Sequence, residues 1–169
     1  MKIFKLMIAA SALTGFASAA QAQDTGAYVG IGAATYEFDT YGIDGKVGYN
    51  FNEYFGVEGQ GILGLTSQTE TVGTTEVKGK IDYTIGGFGV VRFPVSETFE
   101  IFGRGGYHNT GVSVETNGAE VSGDFDGFAA GGGVQFNLNE LSGIRAEYTY
   151  LDGDGANLDT FSVSYVRKF

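Results

Sequence analysis

The sequence predicts an all-β protein that folds as an eight-stranded antiparallel up-and-down barrel. Apolar and polar residues alternate with a period of two along eight segments, and turn signals separate these segments. The connections between segments are alternately brief and long. The composition agrees, with 29 Gly, 24 Phe plus Tyr, a single Pro and hardly any stretch of helical periodicity.

The alternation places the eight strands in order along the chain. We expect them at about residues 27–38, 41–51, 55–65, 80–93, 99–108, 124–136, 143–151 and 159–168. The first begins "GAYVGIGAATYEF", and the second, "GIDGKVGYNF", sets Ile43, Val47 and Tyr49 against Asp44 and Lys46. The third, "FGVEGQGILGL", splits in the same way. In these strands one face is therefore apolar and the other polar.

The later strands repeat this division. In the fourth strand Ile85 and Val91 lie on the apolar face and Arg92 on the polar face. In the fifth strand Ile101 lies on the apolar face, and Glu100 and Arg104 lie on the polar face. The sixth alternates through a glycine-rich run, and the seventh contains "IRAEYTY", in which charged and apolar residues alternate. The eighth ends in "FSVSYVRKF". One face of the predicted sheet thus carries the charges.

The connections predict two unlike ends. Three are short, "NEY", "PVSE" and "NLNEL", whereas the stretches 66–79, 109–123 and 152–158 are longer and polar. The connection at Asp39 and Thr40 departs from this pattern because it is short. Short turns at one end and long loops at the other are typical of barrels that cross a membrane.

The first 22 residues predict a secretory signal peptide, which leaves residues 23–169 as the barrel domain. Lys2 and Lys5 precede a short apolar run that leads into Ala20-Gln21-Ala22, an A-x-A cleavage pattern. Cleavage removes two lysines, so eight basic and twenty acidic side chains remain and the net charge becomes −12. This charge argues against nucleic-acid binding, and the lack of Cys excludes disulfides and thiol chemistry.

Two architectures fit eight alternating strands: a soluble barrel of lipocalin type with an apolar interior, and a transmembrane barrel with a polar one. Aromatic residues at both ends of the apolar faces favour the second, because such rings lie at the two membrane interfaces. These are Phe51, Phe55, Phe93, Phe99, Phe136 and Phe169 near the short turns, and Tyr41, Tyr107, Tyr150 and Phe161 near the loops. We therefore expect an eight-stranded antiparallel transmembrane β-barrel.

At this point the sequence resembles the small outer-membrane β-barrels of the OmpA/OmpX-like type, which include chains named as a porin family. The resemblance rests on "GAYVGIGAATYEF", "GIDGKVGYNFNEYFGVEGQG", "GIRAEYTYLD" and the final strand ending in Phe169. It implies a Gram-negative outer-membrane location in contact with lipid and lipopolysaccharide, biogenesis through periplasmic chaperones and the barrel-assembly machinery, and a monomer. It also implies an assembly signal at Phe161, Val163, Tyr165 and Phe169, although Arg167 stands where an aromatic is commoner.

The polar face supplies a candidate network inside the narrow lumen, where charges need partners. We expect Glu58 and Glu147 to pair with Arg145, Arg104 and Lys46, and Arg92 and Glu100 to lie nearer the periplasmic end. Such a layer is either a structural plug or a gate for ions. The narrow bore of an eight-stranded barrel favours the plug.

No catalytic, cofactor or metal site is predicted. Some eight-stranded outer-membrane barrels modify lipid A with a His and a Ser, but here Thr110 stands two residues after His108, which we expect to be a solvated rim residue. The loop with Asp152, Asp154, Asn157 and Asp159 lacks a full calcium-ligand pattern. We expect a non-enzymatic protein of envelope integrity or surface interaction. The alternatives are a low-conductance pore, a lipid A-modifying enzyme and a soluble lipocalin-like binder.

Overall fold

The computed structural model describes residues 25–37, 40–72, 75–116, 119–153 and 156–169. For the described residues within 68–77 and 116–120 and for residue 156, it describes the backbone only. The predicted signal peptide, 1–22, lies outside these residues, as does Asp154. Across the described part of the chain, no helix is long and apolar enough to cross a membrane.

The described residues form nine strands in one antiparallel sheet. They are β1 (Gly26–Tyr36), β2 (Thr40–Asn50), β3 (Phe55–Gly64), β4 (Ser67–Val72), β5 (Thr75–Pro94), β6 (Phe99–Thr116), β7 (Ala119–Asn139), β8 (Ser142–Gly153) and β9 (Ala156–Lys168). Their order is β3-β2-β1-β9-β8-β7-β6-β5-β4, and a further pairing of β3 with β5 closes the sheet. Because β3 and β4 pair with successive parts of β5, they occupy one strand position in the barrel wall. We call each such position a stave, and the barrel has eight staves. The predicted fold class is confirmed.

The prediction of the two largest outer loops was wrong. β5 already begins at Thr75, and β6 and β7 continue until Thr116 pairs with Ala119, so most of 66–79 and 109–123 is β-hairpin. These stretches are rich in Thr and Val, which favour strands, and antiparallel pairing satisfies their backbone groups. We call the parts of the β4–β5 and β6–β7 hairpins beyond residues 82 and 109 the outer hairpins, and their end of the barrel the outer end.

The two faces of the barrel wall have opposite polarity. Large apolar side chains on the outward face are exposed, for example Ile31 (65 %), whereas the inward face buries acids, bases and amides. Closing the sheet leaves no unpaired barrel edge, which hydrocarbon could not solvate. The alternative of a soluble barrel around an apolar cavity therefore does not fit.

The outward face changes character at the outer hairpins. On β7 the outward side chains pass from Phe128, which is 74 % exposed, to Asp126 and Asp124. On β5 a bulge between Ile81 and Tyr83 marks the same level. Since lipid-exposed positions are apolar and water-exposed positions are polar, this change marks the outer boundary of the membrane.

Glycines occupy two different environments in the wall. Gly48 faces inward beneath Tyr28, whose ring would overlap a Cβ at this position, so only glycine admits the tyrosine there. On the lipid-facing side at mid-height, by contrast, a Cβ would have no neighbour closer than 3.6 Å. This second set, the glycine belt, comprises Gly45, Gly59, Gly61, Gly87, Gly89, Gly103 and Gly105.

Candidate functional site: the ionic lumen

The centre of the lumen is occupied by a bridge between three strands. Glu58 on β3 accepts hydrogen bonds from Arg104 on β6 and Arg145 on β8, with Nη1 of each arginine 2.8 Å and 2.5 Å from the two carboxylate oxygens. All three side chains are buried. Each oxygen of Glu58 thus meets its own guanidinium, which is the strong, charge-assisted form of hydrogen bond.

A second carboxylate continues the bridge to the other side of the barrel. Glu147 on β8 lies 2.7 Å from Nη2 of Arg104 and 3.4 Å from Nζ of Lys46. Lys46 also pairs with Asp44 on its own strand β2. We call Asp44, Lys46, Glu58, Arg104, Arg145 and Glu147 the ionic layer. Its three acids balance its three bases.

Neutral groups supply further hydrogen bonds to this layer, in which Nε of Arg104 and Oε2 of Glu147 are buried without a partner among the described residues. Tyr28 donates its hydroxyl proton to Glu58 at 2.6 Å, and Gln135 accepts two bonds from Arg145 at 3.0 and 2.9 Å. Gln60 donates to Asp44 at 2.7 Å and accepts from Arg104 at 2.7 Å. Burying charges is costly unless they are paired and hydrogen-bonded, and these contacts pair every charge of the layer with an opposite one and satisfy most of its polar atoms.

Aromatic rings pack against both arginines. The guanidinium carbon of Arg104 lies 4.0 Å from the centroid of Phe88, and that of Arg145 lies 4.6 Å from the centroid of Phe102. Such cation–π contacts strengthen when water is excluded. They also fill the space between the charges and the barrel wall.

Arg92 and Glu100 form a separate pair nearer the short turns. Nε and Nη2 of Arg92 lie 2.9 and 2.6 Å from one oxygen of Glu100, and both residues are buried. The structure therefore brings all seven residues of the predicted network into ion pairs, arranged as two groups.

Sequence reasoning placed Asp44 on the polar face but left it out of the network. It also missed the inward aromatic residues Tyr28, Phe88 and Phe102, which are buried. The parity of each strand could have found them. Phe88 shares the face of Arg92 on β5, and Phe102 shares the face of Arg104 on β6.

The expectation of a solvated histidine was wrong. His108 is only 1 % exposed, because it points into the lumen on β6. Its Nδ1 lies 3.1 Å from Oγ1 of Thr110, which in turn lies 3.0 Å from Oγ1 of Thr84, and its ring packs edge-on against Phe125. His108 and Thr110 thus belong to a buried polar layer.

The prediction of a loop at 152–158 was also wrong, because β8 continues to Gly153 and β9 begins at Ala156. The acidic stretch at 152–159 shows no assembled ligand set among its described residues. Asp159 accepts a hydrogen bond from the Tyr148 hydroxyl at 2.7 Å, and the backbone carbonyl of Asp152 lies 3.4 Å from Nε2 of His108. Across the described part of the chain, no group of three or more His, Cys, Asp or Glu is placed to hold a metal ion.

The four residues of the predicted assembly signal lie on the lipid-facing side of β9 and beyond its end. Phe161, Val163, Tyr165 and Phe169 are all exposed. Arg167 shares this side, and its Nη1 donates to Oγ of Ser142 at 2.9 Å. That these residues are read during assembly stays a prediction.

A closed antiparallel barrel with an apolar outer wall and a paired ionic lumen defines an integral membrane β-barrel protein. Residues 7–169 match the family described as the outer membrane protein beta-barrel domain. The chain belongs to this family, which confirms the predicted resemblance and places the protein in the outer membrane of a Gram-negative bacterium. A search of curated proteins gave no match.

Solved structures share the fold. The attachment invasion locus protein Ail of Yersinia pestis, solved with the heparin analogue sucrose octasulfate, has a TM-score of 0.65 at 22% identity, covering 86% of this chain and 99% of its own. The N-terminal barrel domain of Pseudomonas aeruginosa OprF has a TM-score of 0.67 at 11% identity, covering 87% and 98%. The outer membrane protein OprG of the same organism has a TM-score of 0.57 at 14% identity, covering 85% of this chain and 96% of its own. At these identities the likeness concerns the fold alone.

Proposed function

We propose that the protein is a sealed, non-enzymatic outer-membrane barrel that contributes to envelope integrity and presents the outer hairpins for surface interaction. The observation that carries this proposal is the ionic layer, which spans the lumen with buried and mutually paired side chains. Eight strands leave an interior just wide enough for side chains to fill. The lumen contents then serve to hold the wall together.

The charge balance of the ionic layer supports a plug over a selective pore. A selectivity filter uses a ring of one charge sign or of carbonyl groups that replace the water of a permeating ion. Here three acids and three bases neutralise each other. No excess charge is left to attract an ion of either sign.

The burial of His108 and Thr110 supports the absence of hydrolytic chemistry. A nucleophile and its base must reach the substrate. These two residues are 1 % and 0 % exposed, and they face the lumen while lipid lies outside the wall. We therefore infer that their role is structural.

The outer hairpins support a role in surface interaction. They project beyond the boundary at Asp126, and their described side chains on the outward face include Asp82, Asp124 and Glu115. Ail has been solved with a polysulfated heparin analogue. For this acidic surface we infer a different preference, because sulfate groups and carboxylates repel each other.

Biogenesis and surroundings follow from the same proposal. The protein contacts outer-membrane lipid and lipopolysaccharide through its apolar wall, remains monomeric, and reaches the membrane through periplasmic chaperones and the barrel-assembly machinery. The exposed row at Phe161, Val163, Tyr165 and Phe169 supports recognition by that machinery.

Two measurements test the proposal. Purified protein in a planar bilayer is expected to show no discrete conductance steps, and steps would favour the low-conductance pore instead. Cells lacking the protein are expected to become sensitive to a large antibiotic that an intact outer membrane excludes. A variant with residues 67–80 replaced by a two-residue turn should restore resistance while losing surface adhesion. If the gene deletion leaves the envelope unchanged, the integrity role is wrong.

A further inference from the structure

A set of apolar side chains crosses the lumen on the outer side of the ionic layer. Its members are Ala34, Tyr36, Ile62, Phe88, Ala129 and Leu151, which form one buried cluster. They come from β1, β3, β5, β7 and β8, so the cluster touches staves around the barrel. Ile81 and Leu158 pack against it. We call the six residues the apolar collar.

Strand order fixes where the collar lies. Along β3 the inward residues towards the outer end are Glu58, Gln60 and then Ile62. Along β8 they are Arg145, Glu147, Thr149 and then Leu151. On both strands the charged residues therefore lie deeper than the apolar ones. Anything that enters from the outer end meets the collar first.

The collar and the ionic layer are in direct contact. The ring of Phe88 lies 4.0 Å from the guanidinium carbon of Arg104. Phe88 is also the strand partner of Glu58. Above the collar, the hydroxyl of Tyr36 donates to Thr84 at 2.8 Å, which ties Tyr36 to the His108 layer.

We propose that the apolar collar is the barrier to water and ions at the outer end of this lumen, and that the ionic layer acts as a plug only while the collar keeps it dry. The argument rests on the proposed function of a sealed barrel and names the residues that seal it. A polar layer can rearrange its hydrogen bonds around an entering water, whereas a narrow apolar constriction excludes water by dewetting. Ile62, Leu151 and Phe88 present only apolar side-chain atoms to the lumen, and the one hydroxyl of the collar, that of Tyr36, is already bonded to Thr84.

The collar also explains how six charges remain stable in the barrel. Charge pairs strengthen when water is excluded, and they weaken when water competes for their hydrogen bonds. The apolar side chains that cover Arg104 and Glu58 provide this exclusion from the outer end. The ionic layer then binds the staves together, and the collar keeps that layer dry.

Planar-bilayer recording distinguishes the contribution of the apolar collar to the seal from that of the ionic layer. The collar variant Phe88→Ala/Leu151→Ala is expected to show discrete conductance steps, which the wild-type protein should lack, because the space left can hold connected water. Glu147→Gln, which alters the ionic layer at constant size, is expected to remain closed. Ile85→Ala, a lipid-facing truncation on the strand of Phe88, is the matched control. If Glu147→Gln conducts and the collar variant stays closed, the proposal is wrong.

Thiol labelling gives a second readout, because the chain has no cysteine of its own. Ser162 lies beside the ionic layer, where its Oγ is 3.3 Å from Nζ of Lys46. Ser162→Cys should react with a small charged thiol reagent about tenfold faster when combined with Ile62→Thr, which makes the collar polar and shortens the side chain by one carbon. Asn157→Cys, exposed at the outer end, should react rapidly in both backgrounds.

The outcomes distinguish the collar from the sealed-barrel function. Conductance steps in the wild-type protein would disprove the sealed-barrel function. In that case, a higher conductance of Phe88→Ala/Leu151→Ala would still support the collar as a barrier, and an unchanged conductance would overturn it. If the double variant fails to fold, as judged by its gel mobility before and after boiling, Ile62→Thr decides. An unchanged labelling rate of Ser162→Cys with Ile62→Thr overturns the proposal.

Discussion

Nη1 of Arg145 donates a hydrogen bond of 2.5 Å to Oε2 of Glu58, which joins two strands 87 residues apart in sequence. Arg104 donates to the other oxygen of the same carboxylate. Glu58 is therefore the acid on which both arginines depend, and the stability of the barrel should depend on it.

Glu58→Gln is expected to lower the free energy of unfolding by about 3–5 kcal/mol, because two buried guanidiniums lose their shared counter-charge. Urea unfolding in detergent micelles or lipid vesicles measures this change. Glu97→Gln, in the exposed turn between β5 and β6, is the control and should change stability by less than about 0.5 kcal/mol. Equal stability of the two variants would contradict the ionic layer as a structural element.

Gly48→Ala is expected to destabilise the barrel by about 1–3 kcal/mol, because the new methyl group would occupy the space of the Tyr28 ring. Displacing that ring also disturbs its hydrogen bond to Glu58. Gly61→Ala is the matched control, since no atom lies within 4 Å of its Cβ position. It should be neutral or stabilising by about 0.4–1 kcal/mol. Unfolding curves that rank the two variants the other way would disprove the close packing at Gly48.

Ile31→Arg tests where the membrane lies. Ile31 is outward-facing near the middle of β1, and a charge there should cost about 2–4 kcal/mol in a lipid bilayer. Ser122→Arg on the outer hairpin should cost almost nothing, although Ser122 is also exposed and shares the outward face of β7 with Asp124. Unfolding in lipid vesicles compares the two. A large cost at Ser122 would mean that the boundary assigned at Asp126 is wrong.

Phe169→Ala is expected to slow assembly in cells, with the unfolded chain accumulating in the periplasm, because it removes one residue of the predicted assembly signal. The folded fraction is measured by gel mobility before and after boiling, and Lys168→Ala is the control. Refolding of purified Phe169→Ala in detergent should match the wild-type protein. A defect that appears equally in detergent would indicate a loss of stability instead of a loss of recognition.

The sequence was sufficient for the eight-stave barrel and for the inward position of its charges. A period of two assigns each side chain to one of two faces, and the aromatic residues at both ends, such as Phe51 and Tyr107, indicate which face meets lipid. The residues of the network followed, because a narrow lumen forces charges such as Glu58 and Arg145 to be neighbours.

The extent of the outer hairpins could not be read in the same way. Beyond Phe128 the outward positions become polar, so the alternation that marks a strand in lipid fades although the backbone pairing continues. The burial of His108 could not be read from its neighbours in sequence either, since its ring packs against Phe125 and lies near the backbone carbonyl of Asp152 on β8.

The glycine belt leaves a shallow depression at mid-height on one side of the barrel. Four neighbouring strand positions lack side chains there, whereas bulky rings are exposed towards both rims. Fatty-acid tails can consequently lie directly against peptide groups on that side of the protein.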